Sequence, residues 1–543
     1  MARTLLLQDR EMREWWRSLG ATYFKMDARS LGVFRVLFGL VLLSDLGRRW
    51  MELELWYTNS GLLPNHTLLW RPPAGRMFSL FFTASSIGEA RLGFVLCGLA
   101  YAMFVLGYRT RWAQVLTLIA RVSLNSRLAV LENGGDMVMD LLCLLTLPLP
   151  LGARFSVDAA RRALPEWVKR PIASFAVFAL LLQFGAIYFF NAISKDGSAW
   201  RDGSAVHYAL HQDKLVTWIG VWMREQLPVS VLRALTWSTL ATEWLGFGLI
   251  LTPVFVTRAR WLAVFLMPLL HLGFALGLNL GGFSPAMMSF FPLLLGAEHW
   301  DALSRRWGSH VRPLSLGLER WVRRMLRRLP RQLRPRSVSP PSDWGRKLTE
   351  GAVVVLVLAI ASEVVNDNAS VPQSLRVRQP RWAKAIIEYP RILQGWRMFA
   401  SEPSRHDSMI YVDATTAAGA RVDPYNEVAS DVAFPAGGVV PTHLGQSQFF
   451  TMYSDRIANA GYAAYRQAFT EWLLDYPKRT GRKADCLLRY EVYFVSDESP
   501  PPGSKLSPKP VKKERFMSYS APPDSPCRSE RGKDAGRSAV SGL

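Results

Sequence analysis

A lysine at the end of an apolar helical run is the residue of this chain best placed to do chemistry. The segment LLLQFGAIYFFNAISKDGSAWRDG, residues 180–203, carries Lys195 where the run ends, Trp200 five residues later and Gly203 three after that. Two roles fit such a lysine. In an apolar pocket the ammonium loses hydration, its pKa falls, and the neutral amine becomes a general base. At a membrane border the same side chain snorkels to water and caps the helix C-terminus, where the macrodipole favours a cation. Asp196 beside it could also pair with it and keep it charged.

His271 is the second such residue. It lies in WLAVFLMPLLHLGFALGLNLGGF, residues 261–283, with no other ionisable residue after Trp261. A histidine in hydrocarbon costs free energy unless it faces the bundle interior and finds a partner. It suits a proton relay, a hydrogen bond to a polar ligand, or an interhelical bond that fixes packing. Arg35, Asp45, Arg121, Asp136, Asp140, Gln183 and Glu243 are further polar residues in or at apolar runs. Arg35 with Asp45, and Arg121 with Asp136 or Asp140, are candidate ion pairs that would fix helix register. His207 and His211 are one helical turn apart, but two ligands without a third do not make a metal site. The four cysteines, at 97, 143, 486 and 527, form no CxxC and no Cys/His cluster, so neither zinc nor a disulfide framework is expected.

The elements that must position these residues are membrane helices. Half of the 543 residues are hydrophobic, and they gather in runs of roughly the length that crosses a bilayer. Nine spans are expected, at Leu31–Leu46, Leu92–Tyr108, Trp112–Leu131, Met137–Leu151, Ile172–Ile193, Val231–Val256, Trp261–Leu280, Phe283–Gly296 and Leu348–Val365. The net charge of +22 would suggest nucleic acid in a soluble protein. Here the basic residues cluster in alternate loops, with 13 of them in Arg305–Lys347 alone, which is the positive-inside pattern of a membrane protein. No nucleic-acid partner is therefore expected. The pattern places the N-terminus in the cytoplasm.

The fold class expected is mainly α: a polytopic transmembrane helix bundle of about nine spans, a small extracytoplasmic α+β domain and a disordered tail. Residues 1–29 read as an amphipathic cytoplasmic segment and 30–300 as the bundle. A basic cytoplasmic connector follows over 301–347, then a last span over 348–366. Residues 367–498 read as the soluble domain. Within it Met409–Asp413, a turn at Ala418-Gly419-Ala420, and Arg421–Asp423 form a hairpin, Ser454–Tyr476 a helix and Leu487–Val495 a strand. Gln394–Ala400 (QGWRMFA) reads as an aromatic cluster that packs this domain onto the membrane part. The Pro/Ser/Arg-rich residues 499–543 read as disordered.

Several of these segments resemble the horizontally transferred transmembrane family, which includes vitamin K-dependent gamma-carboxylases. Asp27–Gly39 (DARSLGVFRVLFG) is similar to its opening span, and Tyr57-Thr58 with Gly61-Leu62-Leu63-Pro64 to its first outer loop in bacterial members. Leu106–Arg109 resembles the end of its second span, and Lys195, Trp200 and Gly203 its K-x4-W-x2-G element. His271 with Gly281-Gly282-Phe283 resembles its late-span histidine, and Gln394–Phe399 and Val422-Asp423-Pro424 its extracytoplasmic segment. The resemblance implies that Lys195 is a base that deprotonates reduced vitamin K. Oxygen then adds to give a strong alkoxide base, which removes a glutamyl gamma proton so that carbon dioxide attacks. It also implies that His271, Trp200, Gly203, Gln183 and Asp136 surround the quinone, with a lipid bilayer and an extracytoplasmic protein or peptide as partners. Asn133-Gly134-Gly135-Asp136 stands where carboxylases carry Asn-Asn-His, so the histidine of that motif is absent. A non-catalytic quinone or lipid binder, or a scaffold for partners, is the alternative reading.

Overall fold

A computed structural model describes residues 19–70, 76–160, 170–309, 324, 342–429, 447–504 and 511–528. Most of the expected N-terminal amphipathic segment and of the basic connector lies outside the described residues. The main helices are α1 (Ala28–Met51), α2 (Ile87–Leu106), α3 (Thr110–Arg127), α4 (Gly134–Thr146), α5 (Phe175–Ile193), α6 (Val229–Leu251), α7 (Val256–Gly277), α8 (Phe283–Phe290) and α9 (Asp343–Asp367).

Local chemistry sets their ends. The Asp27 carboxylate accepts the Arg29 amide at the start of α1, and Ser86 with Glu89 forms a capping box on α2. Helix α2 stops at Gly107, whose φ of 65° is a left-handed conformation that costs glycine little. The Asn133 side chain accepts the Gly135 and Asp136 amides and so begins α4. Ser174 caps α5 and Ser342 caps α9 in the same way.

Five of these helices, α1, α2, α5, α7 and α9, are long and apolar enough to cross a membrane. Sequence periodicity suggests nine, and the difference has identifiable causes. Helix α4 has 13 residues, or about 20 Å at 1.5 Å per residue, short of a hydrocarbon core about 30 Å thick. The run at 283–296 breaks into α8 and a 3₁₀ turn at Phe291–Leu294. Helix α3 buries Gln114, Arg121, Asn125 and Arg127, and α6 buries Thr236, Thr239, Thr242 and Glu243. Leu92, Leu96 and Leu99 on α2 and Val354, Val355 and Leu358 on α9 are exposed, apolar faces that a bilayer would cover.

Beyond α9 the chain forms a five-stranded antiparallel sheet from β1 (His406–Thr416), β2 (Arg421–Asp423), β3 (Val428–Ala429), β4 (Leu487–Glu498) and β5 (Lys512–Ser520), in the order β3-β2-β1-β4-β5. The hairpin turns at Gly419, with φ 85°. Helices α10 (Gln448–Ala458) and α11 (Arg466–Leu474) pack on the sheet through Tyr425, Phe450, Phe469 and Trp472. The single helix expected over 454–476 is thus two. Asn459 breaks it, its side chain accepting the Gly461 amide to start a new 3₁₀ turn.

Two expectations about the C-terminal region change. Residues 512–520 are not disordered: they pair with β4 from Ser496↔Lys512 to Arg489↔Ser520, and Tyr519 stacks on Tyr490. The Pro/Lys-rich approach to this strand hides the short apolar pattern of Phe516, Met517 and Tyr519, which packs on the core. The cysteines do supply one bridge, Cys486–Cys527, which ties the far end of that strand back to the start of β4. Cys97 and Cys143 are free and buried.

Candidate functional site

The C-terminal turn of α5 presents Asn191, and the chain then leaves the helix through Ser194. Lys195 turns back into the protein. Its Nζ lies 2.9 and 2.6 Å from the two Glu243 carboxylate oxygens on α6, and 3.4 Å from the Asn191 carbonyl. The Lys195 and Glu243 side chains are only 2% and 3% exposed. Burial pulls the Lys195 ammonium below its ordinary pKa, and the Glu243 carboxylate opposes that shift. Asp196, the neighbour that could have paired with it, is exposed. Trp200 completes the group, with Nζ 5.2 Å from its ring centroid. The Trp200 indole N–H donates to the Phe399 carbonyl at 3.1 Å, which fixes the ring.

Lys195, Trp200 and Glu243 line one cavity of about 350 Å³. Thr239 and Thr242 add polar atoms, and Leu270, Phe274, Met398 and Phe399 supply much of the apolar wall. That volume falls within the range of about 300–1,000 Å³ usual for small-molecule sites, and few polar groups converging in an apolar wall is their usual composition. Met398 and Phe399 also line a second cavity of about 790 Å³, where the bundle meets the sheet domain. Its walls are more polar and include Asn133, Gln212, Lys214, His406, Gln448 and Asp455. The two chambers thus share Met398 and Phe399 in their walls. The Met398 amide is pinned by the Asn191 side chain at 2.8 Å.

His271 stands behind the wall of the first cavity. Its neighbours Leu270, Gly273 and Phe274 line the cavity, and its own Nε2 is 2.7 Å from the Tyr188 hydroxyl. Nδ1 has no partner among the described residues, and Phe274, Phe283 and Phe291 surround the ring. Pro268, one turn earlier in α7, removes the amide that would have bonded the Val264 carbonyl. Gly203, with φ 84°, lets the chain turn against α6, since a Cβ there would meet Arg233 Cγ at 2.9 Å. It shapes the loop and does not line the cavity. Gln183 donates to Gln394 at 2.7 Å and anchors the segment expected to dock the C-terminal domain. His207 and His211 stack with ring centroids 4.0 Å apart, and His207 bonds the Pro500 carbonyl at 2.8 Å. No group of three or more His, Cys, Asp or Glu side chains that could hold a metal occurs among the described residues.

Asp136 belongs to a different constellation. Arg121 bonds Asp140 at 2.8 Å, Asp136 at 2.8 Å and Asp45 at 3.1 Å, and Arg49 bonds Asp45 at 2.7 Å and closes on Asp136. Asn125 links Asp140 to Glu132, which Arg391 grips at 2.5 Å from the C-terminal domain. The Arg121 pairs with Asp136 and Asp140 are as sequence reasoning suggests. Arg35 is not paired with Asp45, and its guanidinium bonds the carbonyls of Leu151 and Phe155 at 3.3 and 2.5 Å.

Glu243 is the partner of Lys195 hardest to see in the sequence. It lies 48 residues from Lys195, so no helical spacing links them. The available signal was negative: no cation stands three or four residues away on α6, so a buried carboxylate there needs a distant partner.

The sequence pattern of the HTTM domain matches residues 23–300, about half of the chain. The chain belongs to the HTTM domain family. No curated protein and no solved structure matches it. The matched region ends after α8 and contains Lys195, Trp200, Glu243 and His271, so the apolar cavity is built mainly by the HTTM domain. Met398 and Phe399 are contributed from beyond it.

Proposed function

We propose that this HTTM protein uses a lipid-soluble quinol of the reduced vitamin K type, with the Lys195–Glu243 pair taking the quinol proton and the polar chamber receiving a glutamyl side chain. The observation that carries the proposal is the buried pair facing an apolar cavity of ring-binding size. The quinol would supply the oxidisable ring whose reaction with oxygen generates strong base. Protein groups do the rest. In a low dielectric the separated charges of Lys195 and Glu243 are only marginally favoured over the neutral amine and acid, so one of the two is always ready to accept a proton. The Trp200 face stabilises the ammonium that results. The shared wall at Met398–Phe399 excludes water and meets the second substrate from the other side.

We also place the C-terminal domain outside the cytoplasm, in a multi-pass chain with a cytoplasmic N-terminus. Arg111 bonds the 147–149 carbonyls and Glu350 accepts the Phe175 amide, so three of the basic loops meet at one end of the bundle. Lys195 and the sheet domain lie at the other. The Cys486–Cys527 bridge suits an oxidising compartment.

The test is purified protein in lipid nanodiscs, given reduced vitamin K, labelled bicarbonate and a glutamyl peptide. Labelled product and quinone epoxide from wild type, and neither from Lys195→Met, support the proposal. No product from wild type overturns it. One observation favours the second reading, a quinone or lipid binder without catalysis: Asp136, standing where the carboxylases' Asn-Asn-His motif lies, is fully engaged by Arg49 and Arg121. Retained quinone without turnover in the same assay would establish that reading.

A further inference from the structure

A third cavity, of about 1470 Å³, is distinct from the two chambers. It is a groove between α9 and the α3–α4 side of the bundle, and it exceeds the range of about 300–1,000 Å³ typical for small-molecule sites. Its α9 wall runs from Arg346 to Leu356, ten residues or about 15 Å, which is half of a hydrocarbon core about 30 Å thick. The middle of the groove is apolar, with Val115, Leu144, Val353 and Leu356.

Charge is confined to one mouth. Arg111, Arg170 and Arg346 converge there from three different segments. Arg111 donates to the Leu147, Pro148 and Leu149 carbonyls at 3.0, 3.3 and 3.2 Å, and it has no carboxylate partner among the described residues. Among the described residues the Arg346 guanidinium meets an acid only at the exposed Asp343, 3.4 Å away. The acid at this mouth, Glu350, is occupied by the Phe175 amide at 2.7 Å. The mouth therefore carries excess positive charge above an apolar slot whose α9 wall is one leaflet deep and whose lining continues through Ala385, Ile386 and Tyr389 of the C-terminal domain.

We infer that this groove holds an anionic diacyl phospholipid, its phosphate among the three arginines and one acyl chain along α9. Charge complementarity and the leaflet-deep apolar wall select this occupant over a neutral lipid, for which the arginines would serve no purpose. The bound lipid would act as a wedge that seats α9, the connection between the HTTM domain and the sheet domain. This inference does not depend on the chemistry at Lys195.

Native mass spectrometry in mild detergent tests it, with phosphatidylglycerol or phosphatidylcholine added to delipidated protein. Wild type should retain one phosphatidylglycerol, and at least ~10-fold less phosphatidylcholine. Arg170→Glu/Arg346→Glu, both at exposed positions, should lose the preference. Val353→Trp should exclude the lipid while leaving the arginines in place. Equal retention of the two lipids, unchanged retention by either variant, or a groove that takes up no lipid would each overturn the assignment. So would stabilisation by inorganic phosphate equal to that by phosphatidylglycerol, because the acyl chain would then contribute nothing.

Discussion

Two buried ionic groups in one helical bundle show how differently the same residue types can be used. Asp45, Arg49, Arg121, Asp136 and Asp140 interlock between α1, α3 and α4, and none of them lines the cavities described above. Each carboxylate there meets two or more donors. Lys195 and Glu243, equally buried, have among the described residues only each other and the Asn191 carbonyl as hydrogen-bond partners, with the Trp200 ring and a cavity beside them. A closed network fixes helix register and spends its charges on itself. A lone pair beside space keeps a proton that a ligand can reach. The contrast separates a self-satisfied constellation from a cavity-facing one without reference to family, and the second is the one we propose to be reactive.

Breaking the network should give the largest effect on folding. Arg121→Met leaves three buried carboxylates short of their shared donor, and removal of one partner from a buried pair costs about 3–5 kcal/mol. Thermal unfolding in detergent should show a large loss of stability, or no folded protein. A loss below about 1 kcal/mol would mean that the network is incidental to register.

At the cavity the order reverses, with activity lost before stability. Glu243→Gln keeps the shape and a hydrogen bond to Lys195 but fixes the charge. Turnover of quinol should fall by about 10²–10⁴-fold, the usual contribution of a positioned base. The paired change Lys195→Met/Glu243→Leu should recover any stability that Lys195→Met alone loses, since apolar replacement of a whole buried pair is often neutral. It should recover no activity.

Tyr188→Phe tests the layer behind the wall. It removes the Nε2 partner of His271 and leaves both ring nitrogens without a partner among the described residues, for a cost of about 1–3 kcal/mol. If His271 only fixes packing, quinol binding should be unchanged once the folded fraction is matched.

The smallest effect concerns pH at the loop that meets the C-terminal domain. Burial holds His207 and His211 below the ordinary histidine value; Arg224 adds to the shift on both, and His211 adds to that on His207. The unfolded chain binds protons on both near pH 6.5 while the folded chain does not. Stability is therefore full above about pH 6.5 and declines as pH falls below it. Thermal unfolding as a function of pH should show this slope, and His207→Phe/His211→Phe should flatten it.

Much of the bundle is legible in the sequence because apolar runs and N-cap residues are local. The Lys195-Trp200 pairing is legible because it spans a short loop. Glu243, Met398 and Phe399 are not, since they reach the cavity from 48 or more residues away and only tertiary packing brings them there. The nine expected spans illustrate the same limit. Met137–Leu151 reads as a span, yet the helix there runs Gly134–Thr146; its pairs with Arg121 are legible in the sequence, whereas the closure of Arg49 from α1 onto Asp136 is not. Strand β5 escaped notice because its three apolar residues follow a Pro- and Lys-rich stretch and have meaning only beside β4.

On our proposal the Lys195–Glu243 pair takes a proton from a quinol in the apolar cavity. Anaerobic mixing of reduced vitamin K with protein in nanodiscs, followed by oxygen, measures it directly through quinol consumption. Wild type should consume quinol, and Lys195→Met/Glu243→Leu, with matched thermal stability, should consume none above protein-free nanodiscs. Equal consumption by the two proteins would contradict the account.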